Sequence, residues 1–369
     1  MSCFRLAWRM PALPTPFGKG GVIVTQARSY AAFDSVSPLR PHALERREPG
    51  PTDVAIDIQY CGICHTDLHF VKNDLGLTKY PLVPGHEIVG VVTSVGDAVT
   101  RFRAGERVGV GCLVNSCRHC PTCRDREEQY CPSAIFTYAW PDRDGSITQG
   151  GYATKITVDE AFVLRMPENL ALESSAPLLC AGITTYSPLR TWGVGEGSRV
   201  AVIGLGGLGH MAVKLAAASG AEVTVISSSD RKKSDAVRMG ATDFLVAGNA
   251  EAMAAAAGRF NVILNTISAT HDIVAHINLL SKDGTMVMLG LVTEPVAVPT
   301  VPLLFGRRRL AGSLIGGLAQ TQEMLDFCRD KVITADVEVI PAESINEAYE
   351  RLGRSDVRYR FVIDTATMQ

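Results

Sequence analysis

A glycine-rich turn between an apolar run and a helical segment is the feature that most limits how this chain can fold. The run RVAVI (199–203) is followed by GLGGLGH (204–210) and then by an alanine-rich segment. A lone G-x-G-x-x-G is weak evidence, but in this strand–turn–helix setting it predicts a dinucleotide-binding turn. Its glycines let the backbone approach a pyrophosphate, and the helix N-terminus supplies N–H donors. The residues expected to contact the cofactor here are Gly204, Gly206, Gly207, Leu208 and Gly209.

The sequence after this turn alternates between strand-like runs and helical stretches. Apolar runs of strand length occur at 221–229, 261–268 and 284–291, with helical segments between them. Such alternation predicts a doubly wound parallel sheet, the Rossmann fold, over residues 179–317. The predicted fold class is therefore α/β.

A β-rich unit is predicted on both sides of this parallel sheet. Through about residue 170 the chain is rich in Gly, Val and turn residues, which indicates short strands and hairpins. Two helical segments, 321–329 and 344–352, precede a final strand-like run at 358–364. Because 369 residues suit two domains, we expect a catalytic domain at 26–178 and 318–369 and a nucleotide domain at 179–317.

Residues 1–25 lie outside both predicted domains. They contain several cations, and Asp34 is the first acidic residue of the chain. Transit peptides have such a composition, although this segment lacks serine enrichment and an amphipathic period. We interpret it as a loose N-terminal extension or the product of a start codon placed too early, and the targeting alternative stays open.

Charge and hydropathy exclude two classes of partner. The formal net charge is −2, so the chain has no basic field that would hold nucleic acid. No apolar stretch is long enough to span a bilayer. We therefore predict a small-molecule substrate, with neither a nucleic-acid nor a membrane partner.

Four of the ten cysteines are clustered in one polar loop. They follow the pattern C-x2-C-x2-C-x7-C, and the residues between them offer little apolar surface around which a loop could fold. Four thiolates at such spacing predict a closed structural zinc site, with an iron–sulfur cluster or four ordinary buried thiols as alternatives. Thiolate ligands also imply a reducing compartment, so we expect a cytoplasmic protein. The predicted ligands are Cys117, Cys120, Cys123 and Cys131.

Three other segments offer ligands for a second metal ion. They are CGICHTDLH (61–69), GHE (85–87) and LLCAG (178–182). Each is weak evidence alone, because a lone histidine or a cysteine in an apolar run is usually structural. A catalytic zinc needs three protein ligands and one open position, and together the three segments could supply them.

These motifs together resemble those of the zinc-containing medium-chain alcohol dehydrogenases, and within them the cinnamyl alcohol dehydrogenase branch, which includes bacterial broad-range aldehyde reductases. The likeness extends from about residue 30 to 364 and includes KNDLG (72–76), GVGCLVNSC (109–117) and DVRYRFVID (356–364). It implies a GroES-like β-rich catalytic domain beside the Rossmann domain, two zinc ions per chain, NADP(H) and a homodimer.

The resemblance also implies roles for single residues. The catalytic zinc ligands carry over as Cys64, His86 and Cys180. Asp67 would accept the other N–H of the ligand histidine, and Glu87 would lie close to the metal. Thr66 would take the proton of the substrate alcohol, which then passes through the cofactor ribose to His69. From the residues alone, Thr66 would be a helix cap and His69 a surface histidine.

The strand after the glycine turn bears on the choice between NAD and NADP. An NAD enzyme would end this strand with an acid that binds the ribose 2′-hydroxyl, whereas here it ends in three serines followed by Asp230 and three cations. Serines and cations suit a 2′-phosphate, so we predict NADP(H). The alternative is that the cations are a solvated helix start. The predicted contacts are Ser227, Ser228, Ser229 and Lys232.

The resemblance implies that the positions that line the substrate pocket in the family are apolar in this chain. An apolar pocket suits an aromatic or aliphatic aldehyde rather than a sugar or polyol. Plant lignin-pathway members usually have Trp at the Phe136 position, which argues against a dedicated phenylpropanoid role. The predicted function is a zinc-dependent NADP(H) alcohol dehydrogenase or aldehyde reductase. The alternatives are a zinc-free quinone or enone reductase and a non-enzymatic NADPH-binding protein. The predicted pocket residues are Leu75, Leu77, Cys112, Phe136, Leu304, Phe305, Leu314 and Ile315.

Overall fold

A computed structural model describes residues 24–292 and 294–369 of the chain. Most of the predicted extension at 1–25 therefore lies outside the described residues. The predicted boundary at residue 26 falls inside the first strand, because that strand pairs with the second from Val24 onward. Among the described residues, no helix has the length and apolar character needed to cross a membrane.

The first unit of the fold is β-rich and is formed by both ends of the described chain. Its strands are β1 (Val24–Ala31), β2 (Arg40–Arg47), β3 (Asp53–Gly62), β4 (Ile88–Val95), β5 (Arg107–Val110), β6 (Leu113–Asn115), β7 (Ile135–Phe136), β8 (Lys155–Asp159), β9 (Leu164–Arg165), β16 (Val337–Pro341) and β17 (Arg360–Asp364). Its main sheet has the order β16-β17-β3-β4-β5-β9, and β8 also pairs with β3. In β3 the buried Val54, Ile56 and Ile58 alternate with more exposed residues, as the sequence predicts.

The second unit is a six-stranded sheet in which all neighbouring strands are parallel. Its strands are β10 (Arg199–Ile203), β11 (Glu222–Ser227), β12 (Asp243–Val246), β13 (Phe260–Asn265), β14 (Leu280–Met288) and β15 (Arg309–Gly312). The order β12-β11-β10-β13-β14-β15 is the 3-2-1-4-5-6 arrangement of a Rossmann domain. Ligands bind such sheets at the carboxyl ends of the strands, where the strand order reverses.

Some of the helices pack against the parallel sheet, others belong to the β-rich unit, and two connect the units. They are α1 (His65–Val71), α2 (Pro121–Arg124), α3 (Leu172–Ser175), α4 (Ala181–Thr191), α5 (Gly209–Ala218), α6 (Lys233–Arg238), α7 (Ala250–Ala255), α8 (Ile273–Ile277), α9 (Val301–Leu304), α10 (Leu318–Lys331) and α11 (Ile345–Gly353). The chain enters the parallel sheet after α4, which packs against α5, and leaves it through α10. We propose domain boundaries at 178/179 and 317/318, beside the starts of α4 and α10.

The C-terminal strand β17 returns to the first sheet and pairs antiparallel with β3, with Val362 opposite Gly62 and Ile363 opposite Cys61. This pairing brings residues 360–362 beside the predicted metal-binding segment at 61–64. The strand predicted from residue 358 begins only at Arg360, because β16 starts at Val337 and its ladder with β17 starts at that pair. The Arg358 and Tyr359 side chains bind Asp235 on α6.

Candidate active site

Four buried side chains from three chain segments converge at one point. Cys64 directly precedes α1, His86 and Glu87 precede β4, and Cys180 precedes α4. One ligand atom from each lies within 4.8 Å of all the others, and the two sulfurs are 4.0 Å apart. A hydrogen bond with Cys180 holds the pKa of the Cys64 thiol well below its ordinary value, which favours a thiolate. Two sulfurs and an imidazole beside a carboxylate are a donor set that fits zinc.

The Asp67 carboxylate connects two of these three segments. It is fully buried, and its oxygens accept hydrogen bonds from the backbone N–H groups of Cys64 (2.8 Å) and Gly85 (3.2 Å). Asp67 Oδ1 lies 3.2 Å from His86 Nδ1, and Tyr152 donates its hydroxyl to Oδ2 at 3.1 Å. Because Nδ1 of His86 faces Asp67, Nε2 is the nitrogen left to bind a metal.

Thr66 and His69 lie on α1, next to the cluster. Thr66 Oγ1 is 3.6 Å from Cys64 Sγ, so its hydroxyl lies beside the donor set. His69 Nδ1 lies 2.7 Å from Asp74 Oδ2, and its Nε2 is buried with no hydrogen-bond partner among residues 24–292 and 294–369. Sequence reasoning missed Asp74, although an acid five positions after the histidine was a usable signal.

A buried ion pair joins the metal cluster to the glycine turn, and its arginine was also missed. Arg360 is 4% exposed and donates through Nη2 to Glu87 Oε1. A Cβ atom on Gly207 would lie 2.8 Å from Arg360 Nη1, so the same guanidinium reaches the turn. Burial raises the pKa of Glu87 to about 7, and the charge of Arg360 opposes this rise. The available signal was an arginine inside the otherwise apolar run of β17.

The four clustered cysteines form a second donor set. Their sulfurs all lie within 4.8 Å of one another, with Cys117 and Cys123 3.9 Å apart. A hydrogen bond to Thr122 lowers the pKa of Cys120 to about 6, whereas burial raises that of Cys131 to about 12. A bound cation would therefore be needed to hold all four as thiolates. With four protein donors such a site has no open position for substrate.

The loop that carries these cysteines packs against the connection between the two units. Glu128 Oε2 accepts a hydrogen bond from the backbone N–H of Leu318 at 3.0 Å, at the first turn of α10. The Tyr130 hydroxyl accepts one from Leu314 N at 3.4 Å. The loop thus stabilises the N-terminus of the helix through which the chain leaves the parallel sheet.

The glycine turn has the shape of a phosphate cradle. Gly204 has a φ of +87°, and a Cβ on Gly209 would overlap with the Gly204 carbonyl. A Cβ on Gly206 would meet no atom of the described chain within 4 Å, so the turn presents open space there. Helix α5 begins at Gly209, so the turn lies at a helix N-terminus, where the helix dipole favours an anion.

The predicted 2′-phosphate residues follow β11. Ser228 is exposed and Ser227 and Ser229 are half-buried. Lys232 reaches back to the glycine turn, where its ammonium donates to the Leu205 carbonyl at 2.8 Å. The end of β11 and the glycine turn are the two places between which a Rossmann domain holds the adenosine ribose.

The predicted pocket residues separate into two groups. Cys112 hydrogen-bonds with Cys180, which helps to lower the pKa of the Cys112 thiol, and Phe136 packs against Trp140 with ring centroids 5.0 Å apart. Leu75 and Leu77 are half-buried and Ile315 is buried. By contrast, three residues are exposed on the surface of the single chain; these are Leu304 (73% exposed), Phe305 (90%) and Leu314 (40%).

Two family models match the chain in the order of its two units. The alcohol dehydrogenase GroES-like domain matches residues 50–168, and the zinc-binding dehydrogenase model matches residues 207–330. The first covers β3 to β9 of the β-rich sheet, and the second covers the parallel sheet from the glycine turn to α10.

Relatives of known name match the chain over nearly its whole length. An NADP-dependent alcohol dehydrogenase of Mycolicibacterium smegmatis is 54% identical over 92% of this chain and 98% of its own. A mannitol dehydrogenase of Petroselinum crispum is 56% identical over 89% of this chain and 98% of its own. The structure of a cinnamyl alcohol dehydrogenase from Sorghum bicolor superposes with a TM-score of 0.91 at 47% identity, covering 94% of this chain and 99% of that one. The chain belongs to the zinc-binding alcohol dehydrogenases.

Membership in the zinc-binding alcohol dehydrogenases confirms the predicted family, the GroES-like and Rossmann fold, and the enzymatic character of the chain. Both alternatives, a zinc-free reductase and a non-enzymatic NADPH-binding protein, are disfavoured by the same matches.

The hydroxyl of Tyr152 is expected to support metal retention through Asp67. Tyr152→Phe removes one of the hydrogen bonds that orient the carboxylate facing His86, and loss of such outer contacts typically weakens metal binding roughly 10- to 100-fold. We expect zinc to leave for a chelator at least about tenfold faster, in step with the loss of activity. Tyr186→Phe is the control, because its hydroxyl binds Glu323 instead. Equal release rates in the two variants would refute the role of Tyr152.

The second donor set is expected to hold a metal of its own. Cys123→Ser should lower the zinc content by about one ion per chain, because a hydroxyl replaces one of four thiolate donors. It should also lower the midpoint of thermal unfolding, because the loop has little apolar core. Cys328→Ser is the matched control, since Cys328 is buried in α10 beside Met324 and belongs to neither donor set. Zinc content is measured by mass spectrometry. An unchanged zinc content in Cys123→Ser would contradict the assignment.

Proposed function

We propose that this enzyme interconverts primary alcohols and aromatic or aliphatic aldehydes, with zinc at Cys64, His86 and Cys180 and with NADP(H). The observation that carries the proposal is a buried Cys–His–Cys donor set linked through one arginine to a dinucleotide turn. When bound, zinc polarises a carbonyl oxygen and lowers the pKa of an alcohol, and the nicotinamide carries the hydride.

Thr66 and His69 move the proton in this proposal. The Thr66 hydroxyl, next to Cys64 Sγ, accepts the proton of the alcohol at Oγ1 and donates its own toward solvent. Asp74 faces Nδ1 of His69 and thereby fixes the tautomer in which Nε2 accepts a proton. In aldehyde reduction the same groups return the proton in the opposite direction.

Arg360 would draw the Glu87 carboxylate away from a bound zinc. Its guanidinium binds Glu87 Oε1, so this carboxylate, which lies within reach of the donor set, has a competing partner. A site with three protein ligands and one open corner is the arrangement that catalytic zinc requires.

The choice of NADP(H) is supported by the loop after β11. An acidic residue at the end of that strand would bind the 2′-hydroxyl of NAD and repel the extra phosphate of NADP, but Ser227 occupies this place. Ser228 and Ser229 can donate to phosphate oxygens, and the Lys232 ammonium already lies at the glycine turn. The similarity to an NADP-dependent alcohol dehydrogenase supports the same choice.

A second zinc, at the four clustered cysteines, has a structural role in this proposal. Its donor set is closed, and the loop supports the start of α10 through Glu128. All nine cysteines that the structure describes are free thiols, which supports a reducing compartment such as the cytoplasm.

The substrate pocket is proposed to have an aromatic wall near the metal cluster. Phe136 contacts Trp140, and Tyr138 stacks on His86 with centroids 5.6 Å apart. Such a wall suits aromatic and aliphatic aldehydes. The expectation that polyols are excluded is weakened by the similarity to a protein named for mannitol, so polyols belong in any substrate panel.

A homodimer is proposed to cover the exposed edge of the parallel sheet. Strand β15 is the last strand of that sheet, and among the described strands it has a partner on one side only. Phe305 and Leu304 before it and Leu314 after it are exposed, which is unfavourable for an isolated chain. Pairing of two β15 edges about a two-fold axis would bury this surface and bring the exposed pocket residues against a second copy.

The catalytic zinc assignment is tested with a matched pair of substitutions. Cys64→Ser should remove the metal and lower turnover of benzaldehyde with NADPH by more than roughly 100-fold, because a catalytic ligand is lost. Binding of NADPH to Cys64→Ser, monitored by fluorescence, should persist. Cys61→Ser is the control, since Cys61 is buried in the same segment but lies outside the donor set. Turnover of Cys64→Ser at the rate of the unmodified enzyme would show that the assignment is wrong.

The proposed interface is tested by charging its most exposed aromatic residue. Phe305→Glu should weaken dimerisation roughly 10- to 100-fold in sedimentation equilibrium, because a buried Phe contributes about 1.5–3 kcal/mol. Val36→Glu, at an equally exposed valine of the β-rich unit (89%), is the control and should leave the dimer intact. A monomeric unmodified enzyme, or a dimer that Phe305→Glu leaves unchanged, would exclude this interface.

A further inference from the structure

The loop before β17 brings residues of the catalytic unit into the cofactor site of the Rossmann unit. Tyr359 directly precedes Arg360, whose guanidinium reaches Gly207. The Tyr359 ring stacks on His210 at the start of α5, with centroids 5.2 Å apart and an interplanar angle of 11°. Burial lowers the pKa of His210 to about 3, so this neighbour of the ring is neutral. Tyr359 is thus packed beneath the glycine turn.

Tyr359 also contacts the lysine predicted to bind the 2′-phosphate. The Lys232 ammonium lies 5.2 Å from the centroid of the Tyr359 ring, within the range of a cation–π interaction. The same ammonium donates to the Leu205 carbonyl at 2.8 Å. The ring and the carbonyl together hold the end of a long, flexible side chain at the glycine turn.

The phenol group of Tyr359 has a separate partner on α6. It donates to Asp235 Oδ2 at 2.6 Å, and Arg358 Nη1 donates to the same oxygen at 2.5 Å. Asp235 is three residues after Lys232, a spacing at which a carboxylate and an ammonium on a helical turn pair readily. Asp235 is bound by these two donors from the catalytic unit and lies 3.6 Å from Arg238 Nη2, whereas the Lys232 ammonium points to the turn.

We propose that Tyr359 is a specificity-determining positioning residue, which holds the Lys232 ammonium where it meets the 2′-phosphate of NADP(H) and keeps Asp235 from capturing it. The Tyr359 ring contacts the Lys232 ammonium. Its hydroxyl donates to Asp235, the acid that would otherwise pair with the lysine. Preference for NADP over NAD then depends on a residue of the other domain. This inference rests on the proposed use of NADP(H) with Lys232 as a phosphate contact.

The experiment compares kcat/KM for NADPH and for NADH in the full-length enzyme with benzaldehyde as substrate. Tyr359→Leu removes both the ring and the hydroxyl, and the NADPH-to-NADH ratio should fall roughly 5- to 10-fold. Tyr359→Phe removes only the hydroxyl and should lower the ratio roughly two- to threefold. Adding Asp235→Asn to Tyr359→Phe should restore the ratio, because the neutral amide no longer attracts Lys232.

Lys232→Ala is the reference variant, and combining it with Tyr359→Leu completes a double-mutant cycle. If Tyr359 acts through the lysine, the double variant should have the same cofactor ratio as Lys232→Ala alone. A merely structural tyrosine would lower kcat/KM for both cofactors alike and leave the ratio unchanged, which would overturn the inference.

Different results would reject the phosphate contact of Lys232 and the role of Tyr359. If Lys232→Ala leaves the cofactor ratio unchanged, both the phosphate contact and the role of Tyr359 are wrong. If Lys232→Ala lowers the ratio but neither Tyr359 variant does, the proposed function stands and the role of Tyr359 alone is rejected. Should Tyr359→Leu fail to fold, Tyr359→Phe with and without Asp235→Asn decides the question by itself.

Discussion

The architecture of the candidate active site depends on one buried carboxylate. Asp67 accepts hydrogen bonds from the segments that carry Cys64 and His86, and it faces the ring nitrogen of His86 that cannot bind the metal. A buried carboxylate without such partners would be costly, and the hydrogen bonds offset that cost while they fix the backbone of both segments. These hydrogen bonds hold two of the three ligand segments together.

The second constraint is the return of the chain to its first sheet. Because β17 pairs with β3, residues from the C-terminal part of the chain lie beside a ligand segment near residue 61. Arg360 then joins Glu87 to the glycine turn, and the preceding Tyr359 lies between α5 and α6. The proposed metal site and the proposed cofactor site are thus connected through three consecutive residues of one loop and strand, which belong to the catalytic unit and reach into the Rossmann unit.

The sequence supports the most specific predictions where the chemistry is local. The glycine turn and the four clustered cysteines are each contained in fewer than 16 consecutive positions, so spacing alone indicates their function. The triplet Cys64, His86 and Cys180 is spread over more than 100 positions, and only the resemblance to a family connected its members. Asp74, Arg360 and Tyr359 were missed because their roles come from tertiary contacts; the Glu87–Arg360 pair, for example, spans 273 positions. Leu304 and Phe305 are exposed in a single chain, and no periodicity in the sequence distinguishes a pocket residue from one that a second copy would cover.

The central claim is that Cys64, His86 and Cys180 hold a metal ion with one coordination position open. Anomalous diffraction from crystals of the enzyme at the zinc absorption edge tests it directly. The account predicts a peak roughly 2.3 Å from both sulfurs and roughly 2.0–2.1 Å from His86 Nε2, with no fourth protein ligand. A second, separate peak is predicted among the four clustered cysteines. The absence of zinc beside Cys64, or a zinc there that is enclosed by four protein ligands, would contradict the account.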